Sequence, residues 1–280
     1  MELVVAGLQA AGVPGGVEAN RAQLRAAAVE AAGAGAGLLI TPELFLTGYD
    51  IGDQVRELAR LDLTGMVAQI AREAGVAILA GIPEPAGDLL YNTAILVGEH
   101  GEVLLRYRKT HLFGELDRRY FTAGDDVVAM VELRGVQVAV LICYDVEFPE
   151  TVRAAAERGA HLVAVPTAQM TPFEFVAEHL VRARAWENQV YLAYINHDGR
   201  ERTLEYVGRS SIVAPAGDVL AGAGRGDQLL LATIDTDVGP AGPSTEPIPD
   251  RSPSRPLLTA QSHDTPLRSS SRITKRQPFR

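Results

Sequence analysis

One cysteine, Cys143, is the only thiol in this chain of 280 residues. A single thiol cannot close an intramolecular disulfide, and no cluster of soft ligands surrounds it, so a disulfide framework and a cysteine-rich metal site are both excluded. Positive charge is also scarce. The 26 Lys and Arg residues face 35 Asp and Glu, for a formal net charge of -9, which argues against nucleic acid or an anionic membrane as partner. No uninterrupted apolar run approaches the roughly 18 residues of a spanning helix. Met1-Glu2 runs straight into Leu-Val-Val-Ala-Gly-Leu, which has the character of a first strand rather than a secretory leader. Together with the unpaired thiol, this gives a cytoplasmic protein as the expectation. The rest is 47% hydrophobic and 22% charged, a globular composition with length enough for a large core.

Strand-like and helix-like segments alternate along the chain. Residues 3–8, 37–41, 77–81, 162–166, 190–196, 210–214 and 229–235 have strand character, while 18–32, 62–73, 149–159 and 173–189 have helix character. Residues 91–98 and 103–108 form a hairpin pattern across Glu99-His100-Gly101-Glu102, and 127–133 and 136–142 form another across Arg134-Gly135. Such a mixture predicts an α/β fold with a mixed sheet covered by helices. Beyond Asp237 the composition changes. Residues 239–256 are rich in Pro, Gly and Ser, and 269–280 are polar and basic, so 1–238 is expected to be the folded domain and 239–280 an extension, partly disordered or in contact with a second subunit.

Three side chains stand where strands end. Cys143 closes the apolar run Val138 to Ile142 and precedes the polar segment Tyr144-Asp145-Val146-Glu147. Strand ends in α/β proteins face ligand crevices, so the thiol is either a small core hydrophobe or a nucleophile. Glu43 follows a strand that Pro42 must terminate. It is either a solvated turn carboxylate or, packed inward with Leu44-Phe45-Leu46, a desolvated base of raised pKa. Lys109 closes a strand in which Arg106, Arg108 and Lys109 are all charged. It is either part of a protected, solvated edge or a fixed ammonium near a developing oxyanion.

Taken together, the blocks Pro42-Glu43-Leu44, Tyr107-Arg108-Lys109-Thr110-His111-Leu112-Phe113 and Ile142-Cys143-Tyr144-Asp145-Val146-Glu147-Phe148-Pro149-Glu150 resemble the three signatures of the nitrilase superfamily, the carbon–nitrogen hydrolases, in the family's order. Residues 182–191 and 208–217 resemble two further family segments, and the likeness runs from about residue 3 to 237. The resemblance implies a four-layer α-β-β-α sandwich with two mixed central sheets, assembled into a homodimer or a larger homo-oligomer. It implies that Glu43 is the base, Lys109 and the Tyr144 backbone N–H meet an oxyanion, and Cys143 forms a thioester, with neither cofactor nor metal required. A second carboxylate is expected from Asp117, which stands where many members carry Glu, with Glu115 as the alternative. The resemblance gives His111 a structural place beside Lys109. The segment from Ala168 and Gln169 to Phe173, with Phe113 and Tyr144, is expected to line the substrate pocket. His179 and His197 have no metal partners at ligand spacing, and Trp186 is expected in the core.

Cys-Tyr-Asp, where nitrile-hydrolysing members usually carry Cys-Trp-Glu, is similar to amidase-like members, and the block from Tyr107 to Asp117 is most similar to small aliphatic or R-stereoselective amidases. The expected reaction is release of ammonia from a compact carboxamide. An N-carbamoyl amine or amino-acid hydrolase is the alternative; for a carbamoyl amino acid it would use Arg118, Arg119 or Arg153 to grip a carboxylate. A scaffold without turnover on the same fold is a third reading, which the intact Glu43, Lys109 and Cys143 argue against. The family usually closes with an Arg- and Tyr-containing segment; residues 239–280 depart from it, with only Ile248-Pro249-Asp250-Arg251 reminiscent.

Overall fold

Side-chain alternation along the first strands sets the architecture. In β1 (Glu2–Gln9), Leu3 and Val5 point to one apolar cluster while Ala6 and Leu8 point to another. The same division holds in β2 (Leu38–Ile40) and β3 (Ala77–Ala86), where Leu38, Ile40, Ala77 and Leu79 oppose Leu39, Ile78 and Ala80. A sheet that buries both faces needs a layer on each side. The computed structural model describes residues 1–237, so the expectations made for 239–280 lie outside the described residues.

The first sheet has the order β14-β1-β2-β3-β4-β5, with β4 (Leu89–Val97), β5 (Val103–Arg108) and β14 (Gln228–Asp235). Its outer face is covered by α1 (Val17–Gly33) and α3 (Leu63–Ala74), which bury Leu24, Ala28, Ala31, Val67, Ile70 and Ala71 at helical spacing against it. The second sheet has the order β13-β12-β9-β8-β7-β6. Its strands are β6 (Ala129–Leu133), β7 (Val136–Val140), β8 (Leu162–Thr167), β9 (Tyr191–Asn196), β12 (Ser211–Val213) and β13 (Val219–Gly222). Helices α5 (Pro149–Glu157) and α6 (Val181–Asn188) pack Val152, Ala155, Val181 and Ala185 into the core of this half. Parallel β1–β2–β3 and β7–β8–β9 sit beside antiparallel neighbours in both sheets. The inner faces meet directly. The Ile195 side chain lies against the face of Gly7, where a Cβ would press on its terminal methyl, so β1 and β9 pack closely here.

Several elements differ from the sequence expectation. β3 runs on through Pro83 and Pro85 to Ala86, since β2 pairs only with Ala77 to Leu79. Past that point β4 is the partner on one side, and a missing N–H on the other costs no ladder bond. The single helix expected over 173–189 is interrupted by a π-type turn, Val176–Leu180, before α6. A small hairpin, β10 (Asp198–Glu201) with β11 (Leu204–Val207), was not foreseen. Nor were the short helices α2 (Gln54–Leu58) and α4 (Gly114–Tyr120). Trp186, expected in the core, is 40% exposed on α6.

Gly81 decides where the Glu43 segment lies. A Cβ at this position would strike the Leu44 backbone nitrogen and crowd Glu43 Cα at 3.1 Å. Backbone atoms cannot rotate away as a flexible side chain does. Gly81→Ala is therefore expected to lower unfolding stability by about 1–3 kcal/mol and to reduce turnover. An unchanged urea midpoint together with unchanged kcat would contradict this close approach.

Candidate active site

Cys143 sits at the mouth of the second sheet. After β7 the chain continues along β8 by one bond, Leu141 N–H to Ala164 O at 3.1 Å, then turns sharply into a 3₁₀ turn, Cys143–Glu147. The Cys143 φ is 45°, a left-handed value that a side chain rarely adopts and that strained functional turns often contain. Asp145 secures this bend. One carboxylate oxygen accepts from Ile142 N at 3.1 Å and from the Tyr107 hydroxyl at 2.9 Å. The other accepts from the Thr110 hydroxyl at 2.9 Å and His111 N at 2.8 Å, and it contacts His111 Nδ1 at 2.9 Å. Asp145 is completely buried, and it joins the cysteine bend to the lysine segment of the other sheet. His111 stacks on Phe148 at 3.9 Å between centroids.

Glu43 approaches from the first sheet. Thr41 N–H extends the pairing to Leu79 O at 3.0 Å, Pro42 ends it, and Glu43 crosses to the second sheet. There its N–H donates to Thr167 O at 3.2 Å, and its carbonyl accepts from His197 Nε2 at 2.7 Å. The Glu43 carboxylate is wholly buried. Its Oε1 accepts from Lys109 Nζ at 2.7 Å and Asn92 Nδ2 at 2.6 Å, while Oε2 has no hydrogen-bond partner. Lys109, just past β5, is anchored by its N–H on Asn92 O at 2.8 Å. Its buried ammonium also reaches Asp117 Oδ2 at 2.7 Å and lies 5.7 Å from the Tyr49 ring centre.

Asp117 reaches Lys109 despite its short side chain, because α4 begins immediately after the lysine loop. Asp117 Oδ2 accepts the Phe113 N–H at 2.9 Å, and Oδ1 accepts the Tyr49 hydroxyl at 2.9 Å. Glu115 is corrected as the alternative: its side chain is 99% exposed. The helix turns it to solvent two residues before Asp117 turns inward. Ala168 and Gln169 are buried beside the thiol's strand end. Gln169 Oε1 accepts from the Tyr194 hydroxyl at 3.0 Å and lies 4.0 Å from Cys143 Sγ. Phe113 meets Tyr144 and Phe173 edge-on, at 5.3 Å and 5.6 Å, as an aromatic rim. Tyr144 N–H makes no hydrogen bond among the described residues, whereas the next N–H, of Asp145, closes on Ile142 O at 3.0 Å. Arg118 and Arg119 are exposed, and Arg153 caps Glu187 O at the surface.

Burial raises the Glu43 pKa; the Lys109 charge opposes this, and Asp117 adds to it. Burial also pushes the Cys143 thiol well above its ordinary range, assisted by the Glu43 carboxylate and countered by Lys109. Burial alone would lower Lys109, yet Asp117 and Glu43 overcome it and hold the ammonium well above the usual lysine value. The resting cluster is thus a protonated thiol beside a carboxylate of raised basicity, with a permanent ammonium between two acids. Such a group can pass a proton from sulfur to carboxylate and meet negative charge nearby. Among the described residues no group of three His, Cys, Asp or Glu side chains is arranged to hold a metal ion.

Tyr49, Asn92, Asp145, Tyr194 and His197 had not been singled out for the site, or had been set aside. Asn92 carried a signal: it is a polar residue within the strand Leu-Leu-Tyr-Asn-Thr-Ala-Ile-Leu-Val. Asp145 stood within the Cys-Tyr-Asp block without a role of its own, and Tyr49, Tyr194 and His197 carried no local signal.

A two-sheet α/β sandwich whose seam holds a buried acid, ammonium and thiol defines a hydrolase of the thiol-dependent kind. The chain belongs to the carbon–nitrogen hydrolase family, whose model matches residues 4–242. It is 47% identical over 224 residues to a protein described as "Hydrolase in pqqF 5'region" from Pseudomonas protegens, covering 78% of both chains. It is 38% identical to an (R)-stereoselective amidase from a Pseudomonas species, covering 71% of this chain and 73% of that one. A solved double mutant of the amidase from Nesterenkonia sp. AN1, in complex with acrylamide, superimposes with a TM-score of 0.81 at 38% identity, covering 85% of this chain and 92% of that one.

Proposed function

We propose that this protein hydrolyses the carbon–nitrogen bond of small carboxamides through a thioester on Cys143, releasing ammonia and a carboxylic acid. The observation that carries the reading is the unbonded Glu43 Oε2 in a buried cluster with Lys109 and Cys143. A buried carboxylate oxygen without a donor is costly, and here it is the free basic position in the cluster. Glu43 takes the thiol proton and the thiolate attacks the carbonyl carbon. The oxyanion meets the Lys109 ammonium and the Tyr144 N–H. Glu43 returns the proton to nitrogen as the carbon–nitrogen bond breaks and ammonia leaves. Glu43 then deprotonates water, the hydroxide adds to the thioester carbonyl, the carbon–sulfur bond breaks, and the Glu43 proton returns to the Cys143 sulfur as the acid departs. Asp117 and Tyr49 hold Lys109 in place throughout.

The test is ammonia release from butyramide and acrylamide, compared with nitriles and N-carbamoyl amino acids. Turnover of the amides is expected; turnover confined to the nitriles or carbamoyl compounds would overturn the reading. We further assign a homo-oligomer, supported by Phe175 and Trp186, which are 64% and 40% exposed on the α6 side of the second sheet. Trp186→Arg is expected to shift the mass measured by light scattering toward the monomer. The same mass for the variant and the parent would place the contact elsewhere. A reducing, cytoplasmic setting suits a thiol that must remain unoxidised, and no helix among the described residues is long and apolar enough to cross a membrane.

A further inference from the structure

Both polar handles of the Glu43 backbone are held from the second sheet and its continuation. The N–H donates to Thr167 O at 3.2 Å, and the carbonyl accepts from His197 Nε2 at 2.7 Å. A carbonyl can only accept, so Nε2 carries a hydrogen. His197 is buried, and its Nδ1 has no hydrogen-bond partner among the described residues. The backbone of the acid is therefore the one polar contact of this ring among them.

The imidazole is firmly mounted. The His197 backbone bridges to Ala10, and its carbonyl accepts the Gly208 N–H at 3.1 Å. The ring stacks on Tyr206 at 4.9 Å between centroids, with the planes 28° apart, and the Tyr206 hydroxyl is fixed on Glu201 at 2.7 Å. Asn196, one residue earlier, serves the thiol side of the site. Its Oδ1 accepts the Gln169 N–H at 2.7 Å, and its Nδ2 donates to Gln169 O at 3.2 Å.

Leu44 shows what the His197 bond works against. Its φ is 52°, a left-handed value that is strained for a leucine. Turning over the planar Glu43–Leu44 peptide, by roughly 180°, would return Leu44 to negative φ. It would also take the carbonyl off His197 and displace Glu43, whose Oε1 stands 2.7 Å from Lys109 Nζ and 2.6 Å from Asn92 Nδ2. The imidazole N–H favours the strained orientation over the relaxed one.

Resting on the carboxamide reading above, we infer that His197 is a positioning residue: its Nε2–H holds the peptide after Glu43 in its strained orientation and so keeps the carboxylate against Lys109.

Three variants separate the donor from the shape. His197→Phe keeps a ring on Tyr206 and loses the N–H. His197→Gln carries an amide N–H to the reach of Nε2, and His197→Asn stops short of it. With butyramide, His197→Phe is expected to lower kcat about 100-fold, the scale of a small misplacement of a reacting group, with KM within threefold of the parent. The acidic limb of kcat/KM should move to higher pH, since Lys109 is what pulls the Glu43 pKa down against burial. His197→Gln should recover most of the rate and return the limb, although glutamine does not titrate; His197→Asn should do neither. A purely structural role would lower the melting temperature without moving the limb. A folded His197→Phe with kcat and limb like the parent's would overturn the assignment. So would a glutamine variant no better than the asparagine one, and this pair decides if His197→Phe does not fold.

Alkylation of Cys143 by iodoacetamide, followed by intact mass, needs no turnover. It should be slowed in His197→Phe and His197→Asn and restored in His197→Gln; equal rates in all four proteins overturn the assignment. Absence of ammonia release from every amide, alongside the expected alkylation order, would reject the amidase reading and leave the role of His197 standing. One measurement needs no variant. In histidine-labelled parent protein, long-range proton–nitrogen spectra are expected to show an Nε2–H tautomer whose ring proton is protected from solvent exchange. Rapid exchange of every imidazole proton overturns the assignment even if no variant folds.

Discussion

Cys143→Ala is expected to lose ammonia release by a factor on the order of 10⁶, the scale seen when a hydrolase loses its only nucleophile. The substitution removes one sulfur atom from a site that is 6% exposed. The Asp145 bonds that shape the bend use Ile142, Tyr107, Thr110 and His111, none of which involves sulfur. The variant should therefore fold as the parent does and still bind amides, which circular dichroism and calorimetric titration with butyramide would show. It should also take up no label from iodoacetamide, since the chain has no other cysteine. Turnover above a few per cent of the parent would mean that another group attacks the carbonyl.

Glu43→Gln isolates basicity from shape. The amide oxygen can still receive Lys109 Nζ and Asn92 Nδ2, now at 2.7 Å and 2.6 Å on Oε1, and its nitrogen would occupy the position of the unbonded Oε2. Only proton exchange with the thiol and with water is removed, a step worth about 100- to 10,000-fold in rate. The parent's pH profile follows from the same residue. Burial raises the Glu43 pKa, so its base form appears only as pH climbs through a value above the ordinary glutamate range, and kcat/KM should rise across that interval. In Glu43→Gln that acidic limb should vanish. A limb that persists unchanged in the variant would assign the titration to another group.

Much of this architecture was legible because its signals are local. β5 was expected over 103–108 and spans Val103–Arg108. The hairpin across Arg134-Gly135 pairs Leu133 with Val136 as a two-residue turn requires. Strand ends before Glu43 and Cys143 could be read from Pro42 and from the switch from apolar to polar residues. The β10–β11 hairpin was not legible, since its inward residues are Asp198 and Glu201 rather than aliphatic ones. Glu201 is buried because it accepts from Tyr49 N, Asp50 N and the Tyr206 hydroxyl, partners that no periodicity reveals. Asp145 had appeared only as the third residue of Cys-Tyr-Asp; its structural weight comes from donors contributed by the lysine block. Trp186 was misjudged for a related reason: large aromatic size predicts burial within one chain but does not register a face left uncovered.

The reactive groups are divided between the two sheets. Glu43, Asn92 and Lys109 belong to one, while Cys143, Gln169 and Tyr194 belong to the other, and the fastenings nearest the site include Glu43 to Thr167 and His197, and Asp145 to the lysine segment. Each half alone is chemically mute. A slippage of a single ångström between the halves would part acid from sulfur while every pleat and coil stayed intact, so that on gradual warming silence should arrive before melting.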